Sequence, residues 1–159
     1  MNNTQKLTSS LLGFQEEMLE LEKTFKQKGT EGFKKQLDLF FNLYPEIKAI
    51  SWLQYSPYFN DGEECVFYVH AVNALSFIPE SVEYEYELEE DKDGKETGFI
   101  LGDYSNGKIP YNKEQEEAIY TFLKFIENET DLMEQLFGNH KQILITQEEI
   151  KVEDYNDHD

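Results

Sequence analysis

A thiol and an imidazole five residues apart, Cys65 and His70, are the first side chains whose types suggest chemistry. A cysteine nucleophile needs a base within hydrogen-bond reach. Along an uninterrupted strand, however, an odd offset sends two side chains to opposite faces. Only a bulge, or His140 or His158 arriving from elsewhere, would pair the thiol with an imidazole, so Cys65 is expected as a small core residue. Asp61 and Glu63 are the best candidates for acid–base work, because aromatic surroundings can raise a carboxyl pKa, and the plainer reading makes them part of a solvated turn. The three His are scattered, and Asp91-Lys92-Asp93-Gly94 places its Gly fourth where a calcium loop needs it sixth, so that segment reads as a turn. Asp154, Asp157, His158 and Asp159 lie at a chain end, where side chains are usually solvated. No phosphate-cradling Gly motif is present. Catalytic residues therefore stay unassigned, and no metal site or cofactor is expected.

Recognition chemistry is better represented. Residues 52–67 set aromatics beside a turn of Pro, Asn, Asp and Gly. Pro57 fixes its own φ and pushes Ser56 extended, while Asn60-Asp61-Gly62 supplies side-chain caps and one residue free to take positive φ. Trp52, Gln54, Tyr55, Tyr58, Asn60, Asp61 and Glu63 would then line an aromatic wall with polar tips, suited to a partner or ligand. The competing reading is a hairpin whose rings pack on neighbouring helices and whose Asn and Asp cap only the turn.

The same stretch resembles small phage and bacterial proteins carrying the signature Trp-x-Gln-Tyr-x-Pro-Tyr-Phe-Asn-Asp-Gly-x-x-Cys-x-Phe. Trp52, Gln54, Tyr55, Pro57, Tyr58, Phe59, Asn60, Asp61, Gly62, Cys65 and Phe67 match it. More loosely, Gly138-Asn139-His140 and the ending Val152-Glu153-Asp154-Tyr155 with His158-Asp159 are similar to the C-terminal part of that group. The resemblance implies a shared structural unit and supplies no reaction.

Composition narrows the partners. Against 33 Asp and Glu stand 14 basic residues, all Lys, for a net charge of −19. Arg, the bidentate clamp for phosphate and bases, is absent, which argues against a nucleotide-handling enzyme or direct nucleic-acid binding. The negative charge disfavours anionic membranes and favours a protein partner with a basic surface. One cysteine and no apolar leader or membrane-length run predict a cytoplasmic protein. With 12 Phe, 10 Tyr and one Trp in 159 residues, a single packed acidic domain over 1–159 is expected, its tail at 156–159 free to move.

The positioning elements follow from periodicity. Leu7, Leu11, Phe14, Met18, Leu21 and Phe25 recur at steps of four and three, drawing an apolar stripe along a first helix that ends near Gly29. Thr30 reads as the N-cap of a second helix, bearing Phe33, Leu37, Phe40, Phe41 and Tyr44 and stopped by Pro45, so the pair should form a helical hairpin. Dimerisation through the stripe is possible, but it covers fewer than four heptads and core packing is the expected use. Ile47–Tyr55 and Cys65–Val72 read as strands flanking the aromatic loop. Val82, Tyr84, Tyr86 and Leu88 alternate with Glu83, Glu85, Glu87 and Glu89, a half-buried strand with a carboxylate row. A shorter strand at Thr97–Leu101 and a polar connection over Gly102–Pro110 come next. Asn112 with Gln115 announces a long helix carried to Gly138, weakest at Asn128–Asp131, and a final hairpin pairs Ile143–Thr146 with Ile150–Tyr155.

The sum is an α+β fold: a mainly antiparallel sheet of about five or six strands, two N-terminal helices, and one long helix before a C-terminal hairpin. Its leading function is a non-catalytic accessory protein of phage or bacterial type that binds a basic protein partner through the loop at 52–67 and the acidic surface around it. Two further readings stay open. One is an enzyme or small-ligand binder with a polar cleft around Asp61 and Glu63. The other is a nucleic-acid mimic, since alternate strand carboxylates spaced by about 6.8 Å match every second phosphate of a DNA strand.

Overall fold

The computed structural model describes residues 2–57, 62, 65–80, 87–103 and 105–155. Its contacts divide the chain into two units, Met1–Gln36 and Leu37–Asp159.

Helix α1 runs unbroken from Asn3 to Leu43. Asn2 caps it in a reciprocal box: its side chain accepts from the Gln5 amide at 2.8 Å, and the Gln5 side chain accepts from the Asn2 amide at 3.0 Å. The hairpin predicted at Gly29-Thr30 does not form, so two N-terminal helices are corrected to one. Thr30, read as a cap, instead donates its hydroxyl to the Lys26 carbonyl at 2.8 Å, an acceptor that the helix itself provides. Each helical Gly costs about 1 kcal/mol relative to Ala, and the Lys, Glu and Gln around Gly29 and Gly32 are good helix formers, so the glycines do not end the helix. Pro45 does, as expected: the helix stops two residues before it.

In the first unit, residues 2–28 are all exposed, including the whole stripe from Leu7 to Phe25. Core packing was the expected use of that stripe, and the structure overturns it. Without a turn at Gly29 there is no second arm of a hairpin to cover it.

Among the described residues, the second unit is built on a six-stranded antiparallel sheet in the order β4-β3-β2-β1-β5-β6. Its strands are β1 Ala49–Tyr55, β2 Tyr68–Leu75, β3 Phe99–Leu101, β4 Asn106–Gly107, β5 Lys141–Thr146 and β6 Ile150–Asp154. Strand β1 is central, and Ala49–Gln54 is buried on both faces, which accounts for its nearly continuous apolar run. The β1–β2 register shifts once. Ser51 faces Asn73 and Leu53 faces His70, so Trp52 lies opposite both Ala71 and Val72. Ala71 takes φ 54°, a left-handed conformation that a bulge tolerates.

The predicted long helix is two: α2 Lys113–Asn128 and α3 Thr130–Phe137, meeting at Glu129, inside the stretch marked as weak. Asn112 and Gln115 form the expected capping box, and Gly138 ends α3 with φ 91°. Ile119, Leu123 and Ile126 of α2 and Met133 of α3 are buried, and Phe122 stacks on Phe40 at 4.3 Å between ring centroids. Gly102–Pro110, predicted as a plain connection, contains the two-residue strand β4. The Asp91–Gly94 turn forms as expected: the Asp91 carboxylate accepts from the amides of Asp93 and Lys95 at 2.9 and 3.0 Å, and Glu90 bridges to Glu96.

Candidate interaction surfaces

Two regions bear on function, the β1–β2 hairpin and the face of α1. In the hairpin, Trp52 and Gln54 lie two apart on one face of β1. The Trp52 indole N–H donates to Gln54 Oε1 at 2.8 Å, and Gln54 Nε2 donates to the carbonyls of Met133 at 2.9 Å and Gly138 at 2.7 Å. Phe137 meets the indole edge-on at 5.8 Å. One amide thus ties the central strand to the end of α3. Asn139 adds a second tie: its Oδ1 accepts from the Ser56 and His140 amides at 2.8 Å each, and its Nδ2 donates to Ser56 Oγ at 3.0 Å.

Trp52 is 2% exposed and Gln54 not at all. The outward presentation expected of these two residues is therefore corrected. A buried amide needs its donors and acceptor paired, and here the partners are internal. Trp52, Gln54, Gly138 and Asn139, from two separated stretches of the chain, meet in this one lock.

Beyond the lock, Tyr55 is half-buried, stacked on His70 at 4.6 Å and tilted against Tyr155 at 5.5 Å, and Tyr68 meets the same imidazole edge-on at 4.3 Å. His70 Nε2 is buried with no hydrogen-bond partner among the described residues. Burial lowers its pKa from the usual 6.5, against the opposing pull of Glu127 and Asp103. Cys65 is exposed and precedes β2, which corrects its expected place in the core. The bulge at Ala71–Val72 lies past His70 and leaves the offset between the thiol and the imidazole unchanged.

Tyr58, Asn60, Asp61 and Glu63 lie outside the described residues, and so do Glu83 and Glu85. Glu87 and Glu89 are exposed and stand outside the named strands, and Gly62 takes the positive φ, 83°, expected of the turn. Among the described residues, no three His, Cys, Asp or Glu gather as a metal site. No helix among them is long and apolar enough to cross a membrane.

The face of α1 differs in kind. Leu7, Leu11, Leu12, Phe14, Met18, Leu19, Leu21 and Phe25 are each 42–63% exposed. Leu12 and Leu19 widen the stripe that periodicity picks out. They follow Leu11 and Met18 directly in sequence and sit about 100° further round the helix, so a strict three–four spacing passes over them. Such a run of exposed apolar residues exceeds the single, scattered ones normal on a monomer surface.

The fold and these surfaces define an α+β protein with an open antiparallel sheet and an exposed amphipathic helix. Comparison with protein-family models, curated proteins and solved structures found no match for the chain.

Proposed function

We propose that this protein is a non-catalytic accessory protein that works by binding protein, with the apolar face of α1 as its contact surface. The observation that carries the reading is the exposure of eight large apolar side chains along residues 7–25 of one continuous helix. An amphipathic helix lays such a face into an apolar groove or against another helix. The acidic surface of the remaining chain, −19 overall, repels polyphosphate and anionic lipid and favours a basic partner at contacts outside α1. Tyr58, Asn60, Asp61 and Glu63, from the stretch 52–67, are proposed as a second contact.

The test is co-precipitation from lysate with a tagged native chain and with the variant Leu11→Glu/Met18→Glu/Leu21→Glu, counting untagged copies of the chain among the recovered species. Association lost in the variant, with near-ultraviolet circular dichroism unchanged, is the expected result. Equal recovery by both proteins would overturn the reading.

A further inference from the structure

Resting on that reading, we infer that the partner of the α1 face is a second copy of this chain, paired antiparallel along residues 7–25. Three observations carry it.

The first is charge. Residues 3–28 contain four Lys (6, 23, 26, 28) and four Glu (16, 17, 20, 22), so this segment is neutral while the rest of the chain holds the full −19. Two copies therefore meet on this stretch without net repulsion, and the stretch itself has no excess charge to attract a basic or an acidic partner.

The second is self-complementarity. The steps between Leu7, Leu11, Phe14, Met18, Leu21 and Phe25 read four, three, four, three, four in either direction. Reversing one copy sets Leu7 against Phe25, Leu11 against Leu21, and Phe14 against Met18, so each Phe meets a smaller or more pliable side chain. A parallel pair would stack Phe14 on Phe14 and Phe25 on Phe25. It would also set Glu17 against Glu22 of the second copy twice. In the antiparallel pair the seam is flanked by Thr8 with Glu22, Ser10 with Thr24 and Gln15 with Gln15, leaving one like-charge contact, Glu17 with Glu17.

The third is area. The six seam side chains, exposing about 100 Å² each, offer about 600 Å² per copy, the lower end of what one side of a stable protein interface buries.

Sedimentation equilibrium of the purified native chain gives the first readout, with Leu11→Glu/Leu21→Glu beside it. The expected result is twice the chain mass for the native protein at micromolar concentration, and at least a hundredfold weaker association for the variant. Because both positions are exposed, the variant keeps its fold, checked by near-ultraviolet circular dichroism. Orientation is read by spin-label distances in a Cys65→Ser background. Gln5 and Gln27 are mirror positions, so label pairs at Gln5→Cys in both copies lie about 33 Å apart along the axis when antiparallel, from a rise of about 1.5 Å per residue. Mixing Gln5→Cys with Gln27→Cys brings the labels close together.

A native chain that stays monomeric would overturn the inference, as would a dimer indifferent to the double substitution. Short Gln5 to Gln5 distances would overturn the antiparallel arrangement. If the chain is monomeric yet capture from lysate still depends on the α1 face, the second copy fails as partner while the interaction reading stands. If neither self-association nor capture depends on the face, both fail.

Discussion

Between Ala49 and Gln54 every side chain is buried, the polar Ser51 and Gln54 included, whereas between Leu7 and Phe25 every large apolar side chain is exposed. Both stretches are apolar enough to enter a core. What separates them is the supply of partners from elsewhere in the chain. Strand β1 receives hydrogen bonds from β2 and β5 on its two edges, and Met133 and Gly138 accept the Gln54 amide. The stripe on α1 lies in a unit whose residues through Lys28 are exposed throughout. Apolar periodicity thus states that a face needs covering, and only tertiary structure states whether the chain covers it itself.

Substitutions that exploit this contrast should differ sharply in cost. Trp52→Ala removes a buried indole and should destabilise by about 3–5 kcal/mol in urea unfolding. Phe14→Ala, of similar type on the exposed face, should stay within about 0.5 kcal/mol at concentrations where the chain is monomeric. Equal losses at the two positions would erase the distinction between the regions.

A finer cut targets the lock. Gln54→Leu keeps the volume but strands the indole N–H, and leaves the Met133 and Gly138 carbonyls without the amide, so a loss of about 1–3 kcal/mol is expected, read by the same unfolding curve. A neutral result would mean that the Gln54 amide does not hold β1 to α3.

The hairpin should also carry a pH dependence. His70 is half-buried and its folded pKa lies below the unfolded 6.5, so the unfolded chain binds the proton more readily. Its contribution is fully present above pH 6.5 and declines as pH falls through 6.5 towards the folded value. Unfolding curves of the native chain and His70→Phe should therefore diverge between neutral and mildly acidic pH, with the native protein losing more. Parallel curves would place the imidazole in solvent. Smallest of all, Gly32→Ala should stabilise α1 by up to about 1 kcal/mol by thermal melting, since nothing lies within 4 Å of the added Cβ. Destabilisation there would indicate a turn and restore the helical hairpin.

Much of the second unit was legible in advance, because its signals are local. The capping box at Asn112 and Gln115, the stop at Gly138 and the β5–β6 pairing depend on neighbours within a few residues. The misreadings share a different cause. Thr30 looks like an N-cap in sequence, but a helix that continues offers its hydroxyl the Lys26 carbonyl, and the two cases are indistinguishable from spacing. Gln54 reads as a polar tip because its acceptors lie 79 and 84 residues away. Leu7 to Phe25 reads as core because an interface stripe and a core stripe have the same period. β4 spans two residues, too few for any alternation to register.

Amide hydrogen exchange followed against protein concentration tests most directly whether the α1 face is covered by another molecule. Protection across Leu7–Phe25 should rise with concentration, while the amides of β1 stay equally protected throughout. Protection of Leu7–Phe25 that does not vary with concentration would contradict the account.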